Sequence, residues 1–297
     1  MTLDPVILMR ASLAEEDELR TARKYLPVYE TRAYVPQNSL VIGRYSVLPY
    51  YKELEDDLAF HGSKLINSLR QHSYVADMKQ WYGDLKDMTP RTFFSMEEFK
   101  RSIASGDAKS YVLKGQTNSK KHQWNTHMYA PTAKDVDDVY RRLYDDSLIG
   151  DQEIYIREYV PLRTFGEGIR GLPITEEYRF FVLDGHIVGS GWYWSQFPEV
   201  REENNLGPWM VDQRFLREAI SAVAQSIRFF VIDVARKADG GWMVVELNDG
   251  CMSGLAEVDP TVLYSNLQQR LTPLTPEQRL NFIKERWGDV LAELAKS

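Results

Sequence analysis

Residues 231–250, VIDVARKADGGWMVVELNDG, constrain the fold of this chain more than any other stretch. Two runs rich in Val and Ile flank an Asp-Gly-Gly turn signal, the pattern of a β-hairpin with buried strands. Three polar residues interrupt them: Asp233 in the first run, Glu246 and Asn248 in the second. A two-residue loop at Asp239-Gly240, or a four-residue loop over 238–241, pairs Asp233 directly with Glu246; only an odd loop or a bulge shifts that register. Glu246 and Asn248 are two apart and share a face, which Asp233 joins. Two carboxylates opposed at about 5.5 Å, with an effective dielectric of about 20, repel by about 3 kcal/mol. A proton, an Arg or Lys, or a bound cation has to compensate. Carboxylate and amide oxygens suit a hard cation, and Mg²⁺ typically takes one or two protein carboxylates plus substrate phosphates. A solvent-facing polar row is the competing reading, and the apolar flanks weigh against it. If the cation site stands empty in the ligand-free chain, Asp233→Asn or Glu246→Gln should leave that fold intact or slightly stabilised.

Around this hairpin the pattern is α+β. The first third alternates: PVILMRA and SLVIGRY read as strands, LAEEDELRTARKYL between them as a helix with Glu16 four residues before Arg20, and residues 50–82 as mixed helix and loop. That is a small α/β unit. Ser95 with Glu98 marks a capping box, and Gly106 is placed to stop the helix. The division falls there, with an N-terminal α/β domain over 1–106 and a second domain over 107–297. Beyond it come the strand YVLKG, a polar loop QTNSKKHQWNTHMYAPT, a helix AKDVDDVYRRLYDD and the strand EIYIREYVPL. A hairpin TEEYRFFVLDGHIVGSGWYW turning at Asp184-Gly185, an amphipathic helix at DQRFLREAISAVAQSI, the opening hairpin and two closing helices follow, the last at PEQRLNFIKERWGDVLAEL.

Other residues bear on chemistry less strongly by themselves. Lys114 ends a strand before a polar loop holding Lys120 and Lys121, where lysines can clamp phosphates; a solvated loop is the plainer reading. Arg157 and Arg179 sit in hydrophobic strands and need an anionic partner, a carboxylate such as Glu177 or Glu246 or else a phosphate. Neither G-x-x-x-x-G-K-[ST] nor G-x-G-x-x-G is present, and the five histidines show no metal-ligand spacing with the single cysteine, Cys251. That lone cysteine excludes an intrachain disulfide framework and fits a reducing, cytoplasmic setting. A net charge of −7 argues against nonspecific nucleic-acid binding, and no apolar run is long enough to span a bilayer. The N-terminal residues lack the layout of a signal peptide. At 297 residues, 43% hydrophobic and 27% charged, the chain holds about two globular domains.

The order of elements over about 110–255 resembles the ATP-grasp superfamily: a lysine strand, a flexible loop, a hinge strand, an arginine strand, then Asp … Glu-x-Asn on paired strands, with DVA…WMVVELN the most specific part. Lys114, Arg157 and Arg179 look like the bacterial and phage clade named for two arginines and a lysine. EEYRFFVLDGHIVGSGWYW and the later hairpin are also similar to the eukaryotic cell-division-cycle family that helps assemble an initiation factor. The resemblance implies ATP between two α+β lobes, with adenine at Glu158, Tyr159 and Val160. Lys114 would hold phosphate from one lobe and Arg179 from the other, with Arg157 at the hinge and Mg²⁺ on Asp233, Glu246 and Asn248. It implies ligation of a carboxylate to an amine through an acyl phosphate, with Arg44 and Arg201 as candidate carboxylate anchors. An ATP-binding assembly chaperone and a kinase of the same fold are the alternatives.

Overall fold

The computed structural model describes residues 3–10, 16–45, 50–103, 109–168 and 171–272. A small all-parallel sheet comes first: β1 (Asp4–Leu8), β2 (Val28–Tyr29), β3 (Ser39–Gly43) and β4 (Lys64–Leu65), in the order β2-β1-β3-β4. Helix α1 (Glu16–Tyr25) carries the first crossover and α2 (Tyr51–Phe60) the last, as parallel pairing requires. The α/β reading of the first third therefore holds. In α1 it is Asp17, three residues back, that takes Arg20. Two short helices follow, α3 (Leu69–Ala76) and α4 (Met78–Leu85).

The next sheet is antiparallel, in the order β5-β8-β6-β7: β5 (Thr92–Phe93), β6 (Tyr111–Gly115), β7 (Tyr129–Ala130) and β8 (Ile154–Glu158). Helices α5 (Met96–Ser102) and α6 (Val136–Tyr144) cover it, and Phe93, Phe99, Tyr111, Leu113, Val139 and Ile156 share its core. Ser95 caps α5 by accepting from Glu98 N at 3.1 Å, while the Glu98 carboxylate accepts from Phe94 N at 2.8 Å, so the return bond of the expected box lands one residue early. Gly106 and the division at 106/107 lie outside the described residues. On their N-terminal side, β5 and α5 already pack into this small lobe.

The large lobe is a four-stranded antiparallel sheet, β12-β11-β13-β14, built from β11 (Glu177–Leu183), β12 (His186–Trp192), β13 (Phe229–Arg236) and β14 (Trp242–Asp249). A two-stranded ribbon of β9 (Thr164–Glu167) and β10 (Pro173–Thr175) precedes it. Helices α7 (Pro198–Glu203), α8 (Gln213–Val223) and α9 (Pro260–Leu271) complete the described chain; the second closing helix expected from sequence lies outside it. Strand alternation divides the core. Tyr178, Phe180, Val182, Ile232 and Leu247 pack on one face with α8 and with Val75, Met78 and Trp81. Phe181, Leu183, Phe229 and Val231 pack on the other, against α9 and the apolar residues Ile7, Met9 and Leu19 of the N-terminal domain.

Among the described residues no helix is long and apolar enough to cross a membrane.

Candidate nucleotide and metal site

The second of those faces changes character along its length. Phe181, Leu183, Phe229 and Val231 cover the half beneath the N-terminal domain. Toward the small lobe the same alternation brings up Glu177 and Arg179 on β11, Asp233 on β13, and Glu246 and Asn248 on β14. Arg179 pairs with Asp233, and Asp233 with Glu246, so three charged residues sit abreast across three strands.

The expected pairing of Asp233 with Glu246 is present, by a route the sequence reading did not follow. The loop is an odd one: Lys237 N bonds Gly241 O at 2.7 Å, and Val234, Ala235 and Arg236 pair with Val244, Met243 and Trp242, one out of the predicted register. Gly240 supplies the positive φ of +93° this loop needs. A bulge between Asp233 and Val234 then absorbs the shift, leaving Val245 unpaired. The two departures cancel. The bulge also frees the Val245 carbonyl, which accepts from Arg157 Nη1 at 2.8 Å.

Protein cations compensate the opposed carboxylates. Arg179 grips Asp233 bidentately, Nε to Oδ1 at 2.9 Å and Nη2 to Oδ2 at 2.8 Å, and donates Nη1 to Gly254 O at 2.7 Å. Lys114, reaching from β6, bonds Glu246 Oε1. Burial opposes the charge on Glu246, yet the charges of Lys114 and Lys121, with hydrogen bonds from Lys114 and Asn248, hold its carboxyl down at about 2. Arg157 is different. Nη2 donates to Thr89 Oγ1 at 2.7 Å, Nε is buried without a partner, and burial pulls the guanidinium down to about 10 against the attraction of Glu246. Of the two partners weighed from sequence, carboxylate or phosphate, no carboxylate bonds it among the described residues.

Two cavities meet here. The first is mainly apolar, lined by Glu158, Tyr159 and Val160 of the hinge, Val112 and Arg157 of the small lobe, and Met243 and Val245 of β14. The second, about 420 Å³ and more polar, is lined by His72, Arg179, Tyr193, Asn248 and Asp249, among others. Lys114, Ser119, Lys121 and Glu246 line both. Eight of the nine residues expected from sequence to hold nucleotide or metal thus border one or other cavity. Asp233 borders neither, its side chain sealed beneath Arg179 with 1% exposure.

Three neighbours do more than sequence reasoning gave them. Lys121 Nζ donates to Tyr193 OH at 2.6 Å and lies 4.6 Å above its ring, with Arg179 5.0 Å from the same ring, so Tyr193 ties the loop after β6 to the large lobe. Glu177 was considered only as a partner for the strand arginines, of which Arg179 instead bonds Asp233. Its Oε2 accepts from Thr175 at 3.1 Å and its Oε1 is buried without a partner. Burial pushes this carboxyl up to about 7, Asp233 adding to the push and Lys121 opposing it. A strand opening on two glutamates was the available signal.

The two arginines offered as carboxylate anchors are spoken for. Arg44 is 8% exposed and spends its donors on Glu18, Tyr264 and the carbonyls of Gly250 and Ser253. Arg201 bonds Glu257 at 2.6 Å and Glu202 at 3.0 Å beside a separate cavity.

For a magnesium ion the donors fit in one way. No group of three or more His, Cys, Asp or Glu among the described residues converges on a metal position, so an all-protein cage is not formed. Glu246, held ionised on the cavity wall, and Asn248 beside it supply one carboxylate and one amide oxygen, the complement of an ion that arrives with phosphate oxygens. Asp233 joins that set only if Arg179 releases it.

A family description matches residues 104–267: ATP-grasp domain, family 3 of the clade named for two arginines and a lysine. No curated protein sequence matches. Among solved structures, D-cycloserine synthetase DcsG aligns over 90% of this chain and 100% of its own, at 15% identity and a TM-score of 0.56. A RimK domain ATP-grasp protein from Sphaerobacter thermophilus aligns over 90% and 99%, at 14% identity and 0.57. The ATP-grasp ligase PsnB, complexed with a phosphomimetic variant of its minimal precursor, Mg and ADP, aligns over 92% and 100%, at 14% identity and 0.56. At such identities the likeness is one of fold.

Proposed function

Because the chain belongs to family 3 of the two-arginine, one-lysine clade of ATP-grasp domains, we propose that it is an ATP- and Mg²⁺-dependent ligase that activates a carboxylate as an acyl phosphate and passes it to an amine. The observation that carries this reading is the pair of cavities sharing Lys114, Lys121 and Glu246: an apolar end for a nucleobase and a polar end for phosphates and acceptor, with cations at the junction. The fold is shared with a synthetase and with a ligase complexed with Mg and ADP, which supports it further.

In this reading Glu158, Tyr159 and Val160 border the adenine. Lys114 and Lys121 approach the phosphates from the small lobe, and Arg179 from the large one with the N–H groups Asp233 and Gly254 leave free. Arg157, a buried cation whose Nε lacks a partner, faces the nucleotide from the small lobe. Glu246 and Asn248 hold Mg²⁺, which when bound neutralises phosphate charge. The small and large lobes form the ATP-grasp part, and the N-terminal α/β domain walls the acceptor cavity through His72 and Ala76. The chain's own contribution is to position the reactants and balance their charge.

ADP release tests this. With Mg·ATP and a panel of carboxylates and amines, ADP and phosphate should appear only when one of each is present. A stable phosphorylated acceptor would make the chain a kinase. Tight nucleotide binding without turnover on any pair would make it an assembly chaperone.

A further inference from the structure

Among the described residues, His72 is the one imidazole on the wall of the polar cavity, and nothing above assigns it a task. It lies on α3, whose start is fixed by a capping box: Ser68 Oγ accepts from Gln71 N at 3.3 Å and Ser68 N donates to Gln71 Oε1 at 2.9 Å. Two contacts hold the ring. Tyr51 stacks on it at 4.2 Å and 12°, and Nδ1 meets Asp249 Oδ2 at 3.0 Å. Asp249 is itself fixed, its Oδ1 accepting from Asn67 Nδ2 and Cys251 N, both at 2.8 Å. A carboxylate at Nδ1 keeps the proton on that nitrogen and leaves Nε2 with a free lone pair. Nε2 has no hydrogen-bond partner among the described residues. Lys114, Lys121, Arg179 and Glu246 border the same cavity.

We infer that His72 is the general base of the amide-forming half of the reaction, with Asp249 as its positioning residue; the inference rests on the ligase reading. An amine substrate reaches the cavity protonated, and an ammonium has no lone pair to attack with. His72 Nε2 takes that proton. The freed lone pair forms the C–N bond at the acyl-phosphate carbon, the C–O bond to phosphate breaks, and inorganic phosphate leaves with the electron pair and takes up the second proton that the nitrogen sheds in becoming an amide. After amide formation the imidazolium returns its proton to solvent.

The test sets two nucleophiles against each other. The full chain receives Mg·ATP and a panel of N-acetylated amino acids and dicarboxylic acids, with either methylamine or hydroxylamine. Methylamine is protonated at neutral pH and needs a base; hydroxylamine is largely neutral and attacks unaided. His72→Asn keeps a donor for Asp249 and lacks the distal nitrogen, so methylamide formation should fall by about 100-fold or more while hydroxamate formation persists. His72→Gln, which also lacks a basic nitrogen, should show the same split, and hydroxamate formation certifies the fold of either variant. Equal loss of both products in both variants, or no loss of either, overturns the role of His72. A parent chain that yields no hydroxamate with any carboxylate overturns the ligase reading instead.

Discussion

At the scale of single residues, the site is a balance of buried charges that titrate in opposite senses. Glu177 has its carboxyl raised from an ordinary 4.5 to about 7, burial being the largest cause. Between those values the folded chain holds a proton that the unfolded chain has lost, so this residue lowers stability as pH rises through that window. Glu177→Gln should therefore gain on the parent from pH 4.5 to 7, by the order of 3 kcal/mol, in urea melts across that range. Glu246 runs the other way. Its carboxyl is depressed to about 2, so its contribution is complete above about 4.5 and disappears as pH falls toward 2; Glu246→Gln, expected from sequence to be harmless, should cost most at neutral pH because Lys114 already pairs with it. Asp233 corrects a sequence-based expectation. Relief of like-charge repulsion predicted that Asp233→Asn would be harmless or stabilising. Bidentate pairing with Arg179 predicts instead a loss of about 3 kcal/mol at pH 7, because a buried guanidinium is left without its counter-ion. An equilibrium urea melt separates the two. The carboxylates were legible because each breaks an apolar alternation. Tyr193 and His72 were not, since a tyrosine among aromatics and a lone histidine break no pattern, and Lys121 stood out only as one lysine of a polar loop.

At the scale of elements, the two long hairpins show where turn chemistry is readable. Asp184 and Gly185 both have positive φ, 48° and 77°, and Leu183 pairs with His186: the two-residue turn that Asp-Gly announces. At 238–240 the same dipeptide closes a three-residue loop, and the bulge at Val245 restores the register that places Glu246 opposite Asp233. Twist and bulges answer to the packing of neighbouring strands, which local sequence does not display. Because Gly240 lies at a φ of +93°, Gly240→Ala should cost about 1 kcal/mol in a thermal melt, whereas an unchanged melt would mean that the loop relaxes into another form. Thr164–Glu167 and Pro173–Thr175 escaped the sequence reading altogether, being short and rich in Gly and Pro without alternation.

At the scale of the whole molecule, the N-terminal domain is tied to the loop that follows β14. Arg44 crosses to the carbonyls of Gly250 and Ser253, and Asn67 to Asp249 and the Phe229 carbonyl. Arg44→Lys keeps the charge but not the fork, leaving Glu18 and two carbonyls short of donors; global stability should drop by about 3 kcal/mol in urea. The order of lobes was legible because strands and helices follow one another in a readable sequence. The way the small lobe closes on the large one was not, because Lys114–Glu246 and Lys121–Tyr193 join residues far apart in the chain. These contacts gather the phosphate-facing cations over β14, and the most direct test of that arrangement is calorimetric titration of the chain with a non-hydrolysable ATP analogue and Mg²⁺. One nucleotide should bind per chain, and Lys114→Ala and Glu246→Gln should each weaken binding by about tenfold or more, as loss of a charged contact of about 1.5–3 kcal/mol requires. Affinity equal to that of the parent in both variants would contradict the account.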